Sequence, residues 1–331
     1  MIRTSRYAFL LAKIYGILSK SFIGENYRDV LRLRKLGEIY DLLFPGERKE
    51  ATEQQLTVEL EDRIVRSRIE SLTYVLSLLG DPPEILVHIL RKYEYQSVKS
   101  VVRSIAHEMP SEAVVRDIGA YETVSLADAA ARENAIASSR YAWVLNRLKT
   151  VSLVAVENEI DRDYYATLLA LARKLPMKDR RGVLRLVSLE ITLANVVWAL
   201  RLRFLFGMDA EQAQPLLIPG LLDARRKAVA QAFEIPADSM DRWRTWAFGW
   251  MLEDQLGESF QAPDPVRAEQ QAARRLYTRA HQIFHQDPFT LTPIVAFFML
   301  KEYEAGLLQT AVEALRLSVS EQDVLALVGA R

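Results

Sequence analysis

Apolar positions recur at helical spacing along most of the chain. Val87, Leu90, Glu94, Ser97, Val98 and Val101 fall on one stripe at i, i+3, i+4 intervals, Tyr164, Leu168 and Leu171 on a second, and Phe297, Leu300, Glu304, Leu307, Leu308 and Ala311 on a third. That period lays one face of a helix against a core, and no comparable run alternates with the period of a strand. The spacing predicts an all-α protein, helical nearly throughout. Breaks are expected where Gly and Pro punctuate the pattern, at 44–46, 80–83, 109–110, 215–220, 262–265 and 287–288.

A weak repeat underlies the stripes. A first helix carries an acidic residue near its start, Glu61, then Glu157, then Glu269. A second helix follows about 30–35 residues later, a separation that fits a helix–turn–helix pair. The second helices read Tyr93-Glu94-Tyr95-Gln96-Ser97-Val98, Ile191-Thr192-Leu193-Ala194-Asn195-Val196 and Tyr303-Glu304-Ala305-Gly306-Leu307-Leu308. In the first two an arginine follows, Arg103 and Arg201. Three lobes of about 110 residues, a comfortable domain size, are expected at 1–110, 111–218 and 219–331.

Composition narrows the function classes. Half the residues (50%) are hydrophobic, ample for a core, while Gly and Pro number only 13 and 12. Lys plus Arg and Asp plus Glu are 43 each. A nucleic-acid binder normally carries a basic excess, so nucleic acid is not an expected partner. Cysteine is absent, which removes disulfides, thiolate zinc sites and cysteine nucleophiles. Arg3 and Arg6 precede an apolar run at 7–12, but Lys13 ends it too early for a signal peptide. The most apolar segment, 193–206, is interrupted by Arg201 and Arg203, and 293–300 is too short to span a bilayer. No membrane span is expected.

The repeated motifs resemble the C-subunit family of the V-type (archaeal and bacterial A/V-type) rotary ATPases, the counterpart of the eukaryotic V-ATPase d subunit. In that family each lobe has a helix with a glutamate near its start. Each then has a helix with an acidic residue, an asparagine three positions on, and an arginine beyond. Glu94, Ser97 and Arg103 match this in the first lobe, and Thr192, Asn195 and Arg201 in the second. Lys301-Glu302-Tyr303-Glu304 resembles the third. The opening Tyr7-Ala8-Phe9-Leu10-Leu11-Ala12-Lys13 and the run from Glu157 to Tyr165 resemble the family as well. Thr192 stands where the family has an acid, and Ser97 and Leu307 where it has asparagine.

The resemblance implies three related helical lobes in a pseudo-threefold funnel or socket. It implies a non-catalytic central-stalk component that couples the rotating shaft to the membrane proteolipid ring, for ATP-linked proton or sodium transport. Its partners would be the shaft subunits and the ring. It would lie in the cytoplasm, peripheral on the inner membrane through the complex, with no cofactor. Glu94, Arg103, Asn195, Arg201, Lys301, Glu302 and Glu304 would form a structural motif. The alternatives are an all-α scaffold or adaptor unrelated to ATPases and an all-α enzyme with a metal site.

Candidate chemistry is sparse. No P-loop, His-Glu-x-x-His, calcium loop or nucleophile elbow occurs. His281 and His285, four apart with Asp287 nearby, could hold a metal but lack a third ligand at recognisable spacing. Trp243, Trp246 and Trp250 have the spacing of a buried helix face. Arg225-Arg226-Lys227 and Arg274-Arg275 are short basic runs, read first as solvated faces and second as contacts with an acidic shaft or lipid headgroups. Glu94 and Glu304 are more informative, because each interrupts an apolar stripe and must find donors if buried. For Glu304 the expected donors are Arg274, Arg275, Arg279, His281 or the backbone amides of a helix N-terminus. Lobe two, with Thr192, should need no cation. Arg103 is nine residues from Glu94 and faces the other side of its helix.

Overall fold

The structure is a computed structural model that describes residues 2–47, 51–109, 112–257, 259–319 and 324, with side chains from residue 7 onward. Among these residues there are fifteen α-helices, a few short 3-10 turns and no strand. In chain order the helices are α1 (Ile2–Leu18), α2 (Tyr27–Leu31), α3 (Leu36–Leu43), α4 (Glu53–Ser77), α5 (Glu84–Leu90), α6 (Lys92–Ala106), α7 (Arg132–Ala137), α8 (Ala142–Leu148), α9 (Leu153–Lys174), α10 (Met177–Phe204), α11 (Ala210–Ala213), α12 (Asp223–Ala230), α13 (Met240–Thr245), α14 (Pro265–Phe284) and α15 (Thr292–Arg316). The anticipated Gly and Pro breaks fall between helices, except that Pro265 is the first residue of α14 and Pro110 lies outside the described residues.

Several ends are written locally. Thr52 caps α4, its hydroxyl accepting the Gln55 N–H at 3.3 Å while the Gln55 side chain accepts the Thr52 N–H at 3.0 Å. Such a capping box satisfies two N–H groups that the helix cannot. Ser152 caps α9 more simply, its hydroxyl accepting only the Ala155 N–H at 3.3 Å.

The chain divides into two compact units. Unit 1 joins residues 1–79 to 266–331. Its centre is α15 lying on α4, with α1, α2 and α3 also against α15. Leu60 and Ile64 of α4 are buried with Leu307, Leu308, Ala311 and Val312 of α15 and with Tyr27, Ile39 and Tyr40. Each large apolar side chain buried this way stabilises by roughly 1.5–3 kcal/mol before its loss of entropy is counted. Unit 2 is the contiguous segment 80–265, in which α9 lies between α10 and α6. These units and the three expected lobes are different divisions of the chain.

Two segments depart from the helical expectation. Residues 112–131 are irregular apart from one 3-10 turn. Their backbone finds acceptors on a neighbouring helix instead of on itself. The tryptophans also do not share a helix: α13 ends at Thr245, before Trp246. Trp243 and Trp246 are nonetheless buried, and their rings meet edge to face with centroids 5.4 Å apart. Gly249 permits this turn, since a Cβ there would lie 2.4 Å from the Trp243 carbonyl oxygen.

Among the described residues one helix, α10, is long and apolar enough to cross a membrane, although Arg201 and Arg203 interrupt its 193–206 segment. Its most apolar window is 61% buried within the protein. Its polar Thr192 and Asn195 are buried too. These features mark a core helix.

Candidate functional site

Three helices of the repeat carry buried polar residues on the face that should be apolar, and each uses them to hold a non-helical segment. On α6, Glu94, Ser97 and Ser100 occupy successive turns of one face. The irregular chain runs back along them. Ser100 Oγ accepts the Val114 N–H at 2.7 Å, and Ser97 Oγ accepts the Arg116 N–H at 2.9 Å. Glu94, 2% exposed, accepts the N–H of Thr123, the Thr123 hydroxyl at 2.6 Å, the Tyr141 hydroxyl at 2.7 Å and the Val124 N–H at 3.4 Å. Backbone donors that a helix would have satisfied are met here by side chains, as burial requires.

Around Glu94 the packing is aromatic. Tyr95 meets Tyr141 edge to face at 5.2 Å, and His88 stacks on Tyr164 at 4.9 Å. Arg140 lies over the Tyr141 ring at 5.3 Å and donates to Asp163 at 3.1 Å and to the Tyr95 hydroxyl at 2.9 Å. The Tyr95 hydroxyl donates in turn to Asp163 at 2.6 Å. Burial is the first cause that pushes the Tyr95 and Tyr141 hydroxyls above their ordinary range, with Asp163 and Glu94 adding to it. Burial also lowers the His88 pKa, so its neutral ring donates Nε2–H to the Tyr164 carbonyl at 2.9 Å. Tyrosines held so firmly protonated are hydrogen-bond donors and poor bases.

The second repeat does the same with different residues. Asn195 is fully buried, accepts the Ile218 N–H at 2.7 Å and donates to the Ile218 carbonyl at 3.0 Å. One turn earlier, Thr192 receives Arg225 Nη1 at 3.2 Å. A cation therefore stands beside Thr192, against expectation; Arg225 also donates to the Ser188 carbonyl at 3.2 Å, and that carbonyl holds it there. The two repeats share a register. The i+3 position binds residue 116 or 218, and the i position binds residue 123 or 225, the same spacing along the returning chain.

In α15, Glu304 is 5% exposed and faces inward. Its partners are Lys301, one turn back on the same helix, and the Phe22 N–H at 2.7 Å, just beyond α1. Arg274, Arg275, Arg279 and His281 are not its donors among the described residues. Leu307, at the asparagine position, offers only its carbonyl, which accepts the Tyr27 hydroxyl at 2.9 Å. Glu302 pairs with Arg68 of α4.

Arg103 pairs with Glu157 of α9 at 2.6 Å, so two residues singled out separately in the sequence meet across two helices. The corresponding position on α15 holds Glu313, which lies against Glu61 of α4. Burial and then Glu313 raise the Glu61 pKa, and Arg316 opposes them. Arg201 lies on the last turn of α10.

One cavity of about 630 Å³ opens in unit 1, lined among others by Lys13, Lys20, Phe44, Arg68, Lys301 and Glu304. Its lining has no histidine or cysteine, and Glu304 is already engaged. Among the described residues no three His, Asp or Glu side chains converge as metal ligands. His281 and His285 rings lie 5.2 Å apart, and His285 Nδ1 is hydrogen-bonded to the Tyr15 hydroxyl at 3.1 Å. The polar clusters are geared to fixing backbone in place.

The ATP synthase (C/AC39) subunit family model matches residues 10–327. An uncharacterized protein of Treponema pallidum is 24% identical over 302 residues, covering 90% of this chain and 89% of the relative. The A-type ATP synthase C subunit of Methanosarcina mazei is 23% identical over 323 residues, covering 91% and 87%. That of Methanosarcina barkeri is 22% identical over 319 residues, with the same coverage of 91% and 87%.

Proposed function

Because this chain belongs to the ATP synthase (C/AC39) subunit family, we propose that it is a non-catalytic central-stalk component of a V/A-type rotary ATPase. It couples the rotating shaft to the membrane proteolipid ring, for ATP-linked proton or sodium transport. The observation that carries this reading is a family match running through nearly the whole chain. The buried polar clasps support it physically. A torque coupler must not yield, and segments between helices are usually its softest parts. Here they are tied to helix faces by Glu94, Asn195 and Glu304.

The three lobes, 1–110, 111–218 and 219–331 around a rough threefold axis, belong to the same proposal. The motif helix of the first repeat, α6, lies on α9 of the second, while α15 of the third lies on α4 of the first. The structural motif of Glu94, Arg103, Asn195, Arg201, Lys301, Glu302 and Glu304 then maintains the lobes and performs no chemistry. The chain sits in the cytoplasm on the inner membrane by way of the complex.

Two measurements test this. The native chain should co-purify from solubilised membranes with shaft subunits and the proteolipid ring, and membranes lacking it should hydrolyse ATP without building an ion gradient. ATP hydrolysis by the pure chain, abolished by a point substitution in it, would overturn the reading.

A further inference from the structure

The 43 basic and 43 acidic residues balance overall but not locally. The last turn of α9 and the first turns of α10 hold Arg173, Lys174, Lys178, Arg180, Arg181 and Arg185, with a single acid, Asp179. Asp179 is buried at 4% exposure, whereas Arg173, Lys174, Lys178, Arg181 and Arg185 are exposed. Basic residues elsewhere on the surface are commonly neutralised one turn away, as Arg32 is by Asp29, Arg66 by Asp62 and Arg226 by Asp223. Among the described residues Lys174, Lys178, Arg181 and Arg185 have no such carboxylate.

The same tip is apolar at its apex. Met177, at the turn between α9 and α10, is 80% exposed, next to the exposed Pro176. Arg173 donates to the Gly220 carbonyl at 3.1 Å, which brings Leu222, 71% exposed, to this end of the hairpin. A soluble polyanion would satisfy the cations and leave Met177 and Leu222 in water. An anionic bilayer meets both needs in one surface, with phosphates at headgroup level and an apolar layer beneath.

We propose that the α9–α10 tip docks this chain directly on anionic lipid. Lys174, Lys178, Arg181 and Arg185 meet the phosphates, and Met177 and Leu222 enter the headgroup layer. The contact needs no other ATP synthase component, so it stands or falls apart from the shaft-and-ring reading.

The test is co-sedimentation of the full chain with vesicles of phosphatidylcholine alone or with phosphatidylglycerol added. Binding should appear only with the anionic lipid and weaken as salt screens it. Each cation near such a surface strengthens partitioning by about fivefold. Lys178→Glu/Arg181→Glu should therefore weaken binding by at least about 25-fold, and the milder Lys178→Gln/Arg181→Gln by about that factor. Met177→Asp should weaken it by roughly tenfold. Arg32→Glu, on unit 1, should leave it unchanged. All of these sites are exposed, and matching thermal melts would establish that each variant folds. Equal binding to neutral and anionic vesicles, or binding that survives the tip substitutions, would overturn the proposal. So would retention on a soluble polyanion as strong as on vesicles and indifferent to Met177→Asp, which would assign the tip to an acidic macromolecule.

Discussion

Replacing Glu94 by alanine would strip the acceptor from two backbone N–H groups and two hydroxyls at once. Glu94 is 2% exposed, and the nearest of these hydroxyls, on Thr123 and Tyr141, lie 2.6 and 2.7 Å away. Hydrogen bonds to a charged acceptor contribute about 1.5–3 kcal/mol each, and they are not additive. The Val124 N–H, at 3.4 Å, adds little. Truncation leaves at least three donors buried without an acceptor, so the local cost is about 3–5 kcal/mol. A chain of two units need not unfold in one step, which makes a global midpoint a blunt readout. Hydrogen exchange at the Thr123 amide reads the clasp itself. Its exchange should accelerate by about 10²- to 5 × 10³-fold in Glu94→Ala, one factor of ten for each 1.36 kcal/mol. Tyr141→Phe removes one donor and should accelerate it by about 10- to 100-fold. If the Thr123 amide exchanges at the native rate in Glu94→Ala while the amides of α6 stay protected, Glu94 does not hold the segment and the clasp reasoning fails.

Further outcomes follow from the same contacts. Lys301→Met leaves Glu304, with a side chain 7% exposed, holding only the Phe22 N–H, and should cost unit 1 about 3–5 kcal/mol. Adding Glu304→Gln should recover much of that loss in urea unfolding, and equal midpoints for the single and double variants would refute the ion-pair account. Gly220 has φ +93° and its Cβ would lie 2.6 Å from Leu169 Cδ2, whereas Gly46 has φ +78° and open space around it. Gly220→Ala should therefore cost about 1–3 kcal/mol, clearly more than Gly46→Ala, and equal melting shifts would refute the steric term. Burial holds the His88 pKa below 6.5, so the unfolded chain binds its proton first as pH falls. The His88 contribution is complete above that pH and declines below it. Unfolding midpoints between about pH 7.5 and about pH 5 should fall more steeply for the native chain than for His88→Phe, and parallel curves would show that His88 is not the group responsible.

The helices were legible because their period is local, and the burial of Glu94 and Glu304 was legible because each interrupts an apolar stripe. Their partners were not. Phe22 is 282 positions from Glu304, and no spacing rule connects them. Lys301 sits in view at i−3, but a long basic side chain one turn away reads as a surface pair until the fold encloses it. Arg103 and Glu157 were each conspicuous, yet only the packing of α6 on α9 makes them a pair. The irregular course of residues 112–131 was hidden for a related reason. Within it only Gly119, at φ +63°, is a helix breaker by composition, and the rest is held out of helical form by acceptors on another element. The signal that could have exposed it is the polar row Glu94, Ser97 and Ser100 on one face of α6, a set of acceptors that a purely apolar contact would not require.

Unit 1 is assembled from residues 1–79 and 266–331, so its core cannot close until α15 has been made. Unit 2 is contiguous and meets no such delay. On a ribosome adding about 5–20 residues per second, α4 emerges and then waits on the order of ten to fifty seconds for the helix that covers Leu60 and Ile64. During that interval the earliest part of the chain is the last to acquire its fold, and its apolar face is open to chaperones and to other nascent copies. Synthesis and folding thus run in opposite order. Truncations or stalls late in translation should harm the beginning of the protein most, because α15 is the element on which α1 to α4 depend.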